Sequence, residues 1–88
     1  MKLIIAIVRD VDSDQVSHGL TSAGFRVTGV ASTGGFLRRG KSTLLIGVED
    51  EKLESAMQII RSSVSSEKDE KEQRAVIFVV KVENFEHF

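Results

Sequence analysis

Residues 35–42 read GFLRRGKS and satisfy, letter by letter, the spacing of a phosphate-binding loop: two glycines, a lysine and a hydroxyl. In such a loop the glycines free backbone N–H groups to cradle phosphates. The lysine reaches the terminal phosphates and the serine holds magnesium. That chemistry needs a strand before the loop and a helix after it, because the helix N-terminus supplies part of the anion field. Phe36 and Leu37 add a second possibility, since they sit behind Gly34 and Gly35 and ahead of Arg38 and Arg39. A purine can stack on Phe36 or lie against Leu37 while glycine N–H groups and Arg or Lys take a phosphate. The same two side chains can equally pack back on their own domain as a plug. Upstream, Arg26 and Thr28 are two positions apart in a strand-like run, which puts both donors on one face.

The charge distribution supports an anion-accepting centre. No acid occurs between Gln15 and Val48, a window that holds Arg26, Arg38, Arg39 and Lys41 together with Gly24, Gly29, Gly34, Gly35 and Gly40. A solvated hairpin with ordinary surface charge has the same composition. The net charge of the whole chain, -1, says nothing about partners.

What must position these residues is one small domain spanning residues 1–88, with 41% hydrophobic and 28% charged residues. There is no cysteine, so neither disulfides nor a thiolate metal site can form. His18 and His87 are too few and too far apart in sequence for a metal centre. No metal or cofactor is expected. No apolar run approaches the roughly 18 residues of a membrane span. The start, MKLIIAIVRD, runs into acidic residues without a small-residue cleavage site, so no signal peptide is expected and a cytoplasmic location is.

The short apolar run at residues 2–8 reads as a buried strand. Asp12, with Gln15 three residues on, reads as a helix N-cap; Val16, Leu20 and Ala23 follow at helical spacing and Gly24 suits the helix end. Residues 25–32 and 42–48 read as the second and third strands. Asp50 reads as the cap of a second helix, whose Leu53, Ala56, Met57, Ile60 and Val64 form an amphipathic stripe. Residues 65–74 are a polar connector, and residues 75–82 a fourth strand. The order βαββαβ predicts an α+β, ferredoxin-like fold with a four-stranded antiparallel sheet and two helices on one face. Residues 35–42 then lie between two strands, and the phosphate-loop match is coincidental.

In that fold one face of the sheet is left without helices, and its residues should alternate polar with apolar. They do not: LIIAIV, TLLI and AVIFVV are apolar throughout. Each exposed Leu or Ile forgoes about 1.5–3 kcal/mol of burial, and a few of them rival the stability of a small domain. A homo-oligomer that covers this face with another copy is expected. The competing cover is the chain's own tail with Phe85 and Phe88, six residues that cannot span four strands.

The run FRVTGVASTGGFL at residues 25–37, with Gly40, Thr43 and GVED at residues 47–50, closely resembles the PII-like cyclic-di-AMP receptor family. MKLIIAIVRDVDSD and VIFVVKVENFEHF at the two ends resemble it too. The resemblance implies a non-enzymatic signal-transduction protein, a homotrimer that binds cyclic di-AMP in clefts between subunits. It implies a pocket of Arg26, Val27, Thr28, Gly35, Phe36 and Leu37, with Gly47 and Phe78 as further contacts. Three features depart from the family pattern. Lys41 stands where the family usually carries Asn; lysine is donor-only, so base reading changes while attraction to phosphate grows. Gly24 also replaces a usual Asn. The connector at residues 65–74 is far shorter than the family's loop, thought to respond to ligand, between the second helix and the last strand.

Two other readings stand beside a cyclic-dinucleotide receptor: a PII-like sensor of another adenine nucleotide or anion, and a trimeric interaction module with an unknown protein partner and no small ligand. An enzyme finds no support, because no Ser/His/Asp set, cysteine nucleophile or close carboxylate pair stands out. Nucleic-acid binding through exposed aromatic pairs is not expected either, with no Tyr or Trp and five Phe.

Overall fold

The structure is a computed structural model, and it describes residues 1–30, 40–64 and 75–83. Strand β1 (Lys2–Arg9) runs directly into helix α1 (Asp10–Ser22), followed by β2 (Arg26–Val30), β3 (Lys41–Val48), α2 (Leu53–Ser63) and β4 (Ala75–Lys81). The four strands form one sheet in the order β2-β3-β1-β4, with every pairing antiparallel. This is the α+β, ferredoxin-like arrangement expected from the sequence.

The core lies between the sheet and the helices. Ile4, Ala6 and Val8 of β1 and Leu44, Ile46 and Val48 of β3 share one face and are buried under Val16 and Leu20 of α1 and Ala56 and Ile60 of α2. Leu53, Met57 and Val64 pack partly against this cluster, so the stripe read in the sequence is the buried face of α2. The helices meet most closely at Gly19. A Cβ there would stand 3.1 Å from both Ile59 Cγ2 and Ser63 Oγ.

Helix α1 ends as its sequence predicts. Gly24 has φ +91°, its N–H donates to the Thr21 carbonyl, and the Phe25 N–H donates to the Leu20 carbonyl, both at 3.0 Å. These two bonds make a Schellman motif, and Phe25 packs against the core beside it.

The helix starts differ from the sequence reading. Asp12 does not cap α1. The helix begins three residues earlier, with Arg9 at the N-cap, and Asp12 lies buried in the first turn, where its Oδ2 accepts from Arg9 Nε at 3.2 Å. Asp50 does not cap α2 either. It opens a 3-10 turn, Asp50–Lys52, and its Oδ1 takes the amino group of Met1 at 3.1 Å. In both cases the carboxylate meets a full positive charge, the Arg9 guanidinium three residues back for Asp12 and the amino group of the first residue for Asp50.

Two tests follow from these contacts. Replacing Gly19 by Leu forces the helices apart and should lower stability by about 1–3 kcal/mol, read as a drop in the urea midpoint. The second concerns pH. The hydrogen bond from the Met1 amino group, then nearby positive charge, holds the Asp50 carboxyl below its ordinary value of 3.8. A depressed carboxyl stabilises the fold above its unfolded value and loses that effect as pH falls through the folded one. The wild-type urea midpoint should therefore exceed that of Asp50→Asn at pH 6, and the gap should close below pH 3.8.

Candidate functional site

The face of the sheet turned away from the helices is fixed by register. Partners directly opposite in an antiparallel ladder share a face, so the pairings place four rows across this surface. Arg26, Gly47, Leu3 and Val80 form the first; Thr28, Leu45, Ile5 and Phe78 the second; Val30, Thr43, Ile7 and Val76 the third. Lys41 and Arg9 face each other in the fourth. The middle of this face is apolar and half-buried, and its rim is exposed: Phe78 is 53% accessible and Val80 45%. Donors collect at the β2 side and at the β3 start.

Arg26 and Thr28 lie on one face, as period two requires, and both are exposed. Among the described residues Arg26 makes no ion pair. Val27 points the other way: it pairs with Ile46 and packs on the core, which leaves only its backbone at this edge. Gly47 sits beside Arg26, and a Cβ there would stand 3.0 Å from Met1 Cε. The missing side chain makes room for Met1, which is pinned by Asp50 at its nitrogen and by the Val82 N–H at its carbonyl. Met1, Gly24, Arg26, Gly47, Glu49 and Lys52 are among the residues that line an open depression of about 230 Å³. That is below the roughly 300–1,000 Å³ of a pocket that encloses a ligand.

Lys41 and Ser42 open β3, and no helix follows them until after Val48. Ser42 donates its hydroxyl to the Asp10 carboxylate, and the Gly40 carbonyl accepts from the Asp10 N–H. The serine is thus committed to the strand–helix junction rather than to a metal, and the phosphate-loop spacing is coincidental here. Gly40, at φ +85°, makes the turn into β3. Gly35, Phe36 and Leu37 lie outside the described residues, as does the connector at residues 65–74.

Phe78 is far from the donors. It lies on β4, three strand spacings from Thr28 on β2, or about 14 Å at ~4.8 Å each. Met1, Glu49 and Lys52 were not singled out by sequence reasoning. Met1 joins the depression because β3 carries a glycine opposite Leu3, a contact between residues 1 and 47 that no local pattern announces.

Position 24 explains one departure from the family pattern. Its positive φ suits glycine first and asparagine next, so either residue ends α1, and only the side-chain amide differs.

A crystal structure of a functionally unknown protein from Pediococcus pentosaceus ATCC 25745 is 32% identical to this chain, with a TM-score of 0.78 over 99% of this chain and 96% of that one. The model of the cyclic-di-AMP receptors matches residues 1–72 of the 88, which takes in β1 through α2 and stops before β4 and Phe78. With Arg26, Thr28, Lys41 and Gly47 all inside the matched segment, this chain belongs to the cyclic-di-AMP receptor family.

Proposed function

We propose that this protein is a non-enzymatic receptor for cyclic di-AMP that works as a homotrimer, with the nucleotide held between neighbouring subunits along the β2–β3 side of the open face. The observation that carries the reading is the open face itself. Its centre is apolar, its β2 edge carries Arg26 and Thr28, and its depression lacks a second wall. Another copy supplies both the cover and the wall. It also accounts for the distance to Phe78: a residue three strands away joins the same ligand most simply from a neighbouring chain. In this reading Arg26 and Lys41 attract phosphate, Thr28 adds a hydroxyl, the ligand approaches β3 at Gly47 by displacing the Met1 side chain, and Phe78 stacks on a base. Gly35, Phe36 and Leu37 complete the pocket.

Lys41 favours a second reading, a sensor of a different adenine nucleotide. An asparagine amide both donates and accepts, whereas an ammonium only donates, so the adenine edge is read differently.

Calorimetric titration with cyclic di-AMP, ATP and cyclic di-GMP separates the two. Saturable binding of cyclic di-AMP alone supports the receptor; a preference for ATP supports the second reading. Arg26→Ala should weaken the bound nucleotide by about 1.5–3 kcal/mol, the scale of a charge-assisted hydrogen bond. An unchanged affinity would take Arg26 out of the site.

Sedimentation tests the assembly. The wild type should run as three chains at micromolar concentration. Ile5→Glu puts a charge at the centre of the open face without touching the helix-side core, and should run as a single folded chain. A wild type that sediments as one chain would remove the intersubunit cleft.

A further inference from the structure

β1 runs into α1 with no residue between them: Arg9 ends the strand and Asp10 opens the helix. The Asp10 N–H is therefore one of the donors that a helix leaves without an internal partner. It is taken by the Gly40 carbonyl at 2.8 Å. The Asp10 carboxylate accepts from the Ser42 hydroxyl, 32 residues away in the chain. One residue thus holds both neighbours of Lys41, Gly40 through the backbone and Ser42 through the side chain.

These two contacts set the direction of Lys41. Lys41 begins β3 and its partner Arg9 ends β1, so the pair closes the ladder, where an element opens most readily. Gly40, at φ +85°, enters the strand through a conformation that leaves the backbone much freedom unless its carbonyl is bound. Period two sends Ser42 to the helix side, opposite Val8, and Lys41 to the open face with Thr43. Holding Ser42 on one side therefore holds Lys41 on the other. The anchor itself is firm, because Asp10 joins an inner strand of the sheet to a helix whose Val16 and Leu20 are fully buried.

We propose that Asp10 is a positioning residue for the nucleotide: through Gly40 and Ser42 it fixes the first residue of β3, so that the Lys41 ammonium meets a phosphate on the open face. The inference rests on the receptor reading above, in which Lys41 attracts phosphate. It also gives the serine of the coincidental phosphate-loop spacing a task, since Ser42 touches no ligand and directs the lysine beside it.

The sign of the effect separates position from charge. Asp10 is a carboxylate next to Arg9, which faces Lys41 across the ladder. Acting on an anionic ligand by charge alone, it would repel, and its removal would tighten binding. A positioning role requires the opposite. Affinity for cyclic di-AMP, measured by calorimetry, should fall about tenfold in Asp10→Ala and in Ser42→Ala, the scale of one hydrogen bond to a charged oxygen. The two substitutions together should match either alone to within about twofold, because both break one contact. Asp10→Asn keeps an oxygen for the Ser42 hydroxyl and should stay within about twofold of wild type. Lys41→Ala supplies a readout that a merely structural contact would not move: with the ammonium gone, adding Ser42→Ala should cost less than about twofold. If Asp10→Ala fails to fold, Ser42→Ala and Asp10→Asn decide alone. Tighter binding by Asp10→Ala overturns the positioning role, as does wild-type affinity in Ser42→Ala or the full loss from Ser42→Ala in the Lys41→Ala chain. Dissociation of the assembly by Ser42→Ala overturns it too, since the contact then serves the interface. In each of these cases a weakened Arg26→Ala leaves the receptor standing. Absence of any cyclic di-AMP binding by the wild type brings down the receptor reading and the positioning role with it.

Discussion

A strand that is apolar on both sides sets the terms for this molecule. β1 occupies an inner position of the sheet. It turns Ile4, Ala6 and Val8 toward the helices and Leu3, Ile5 and Ile7 away from them. The first set is buried by α1 and α2. The second is only half-buried, because neither helix lies on that side of the sheet. Each such side chain represents about 1.5–3 kcal/mol when fully removed from water, so one sheet face holds a reserve as large as the net stability of the domain. The chain folds with one layer and presents the demand for another.

That demand dictates where polar chemistry can sit. Donors in the middle of an apolar interface would be desolvated on assembly, so they are tolerated at edges, or where something pairs with them. Arg26 and Thr28 are on edge strand β2, and Lys41 is at the start of β3. Thr43 is the exception, a hydroxyl inside the sheet with no partner. Asp10 accepts from Ser42 and Asp12 from Arg9, both at the β1–α1 junction.

The sequence was most legible where a rule is local and nothing competes with it. The stripe on α2 could be read because helical spacing alone selects its buried face. Gly24 could be read because only a residue tolerant of positive φ ends a helix that way. Period two placed Arg26 with Thr28, and it also shows that Val27 cannot lend its side chain to them. The capping assignments at Asp12 and Asp50 failed for a common reason. Each carboxylate meets a positive charge: for Asp50 the Met1 amino group, which only folding brings near, and for Asp12 the Arg9 guanidinium, which the helix reaches by starting earlier than its capping pattern indicates. Met1 escaped notice beside the depression because its place there depends on cross-strand register. The apolar run around β1 gives the parity of each residue but not which residue of β3 stands opposite.

In the proposed receptor, assembly and ligand binding are two expressions of one surface. If the layer over Leu3, Ile5 and Ile7 is another copy, the wall missing from the Arg26 depression arrives with it, and no complete pocket exists in a single chain. A ligand that touches two chains binds only the assembled state and must stabilise it, because whatever binds one state of an equilibrium shifts the equilibrium toward it. The coupling is reciprocal: the factor by which assembly tightens nucleotide binding is the factor by which the nucleotide tightens assembly. On the proposed trimeric reading the oily face and the cationic edge cannot be tuned independently, and a residue that touches no ligand, such as Ile5 at the centre of the sheet, still contributes to affinity.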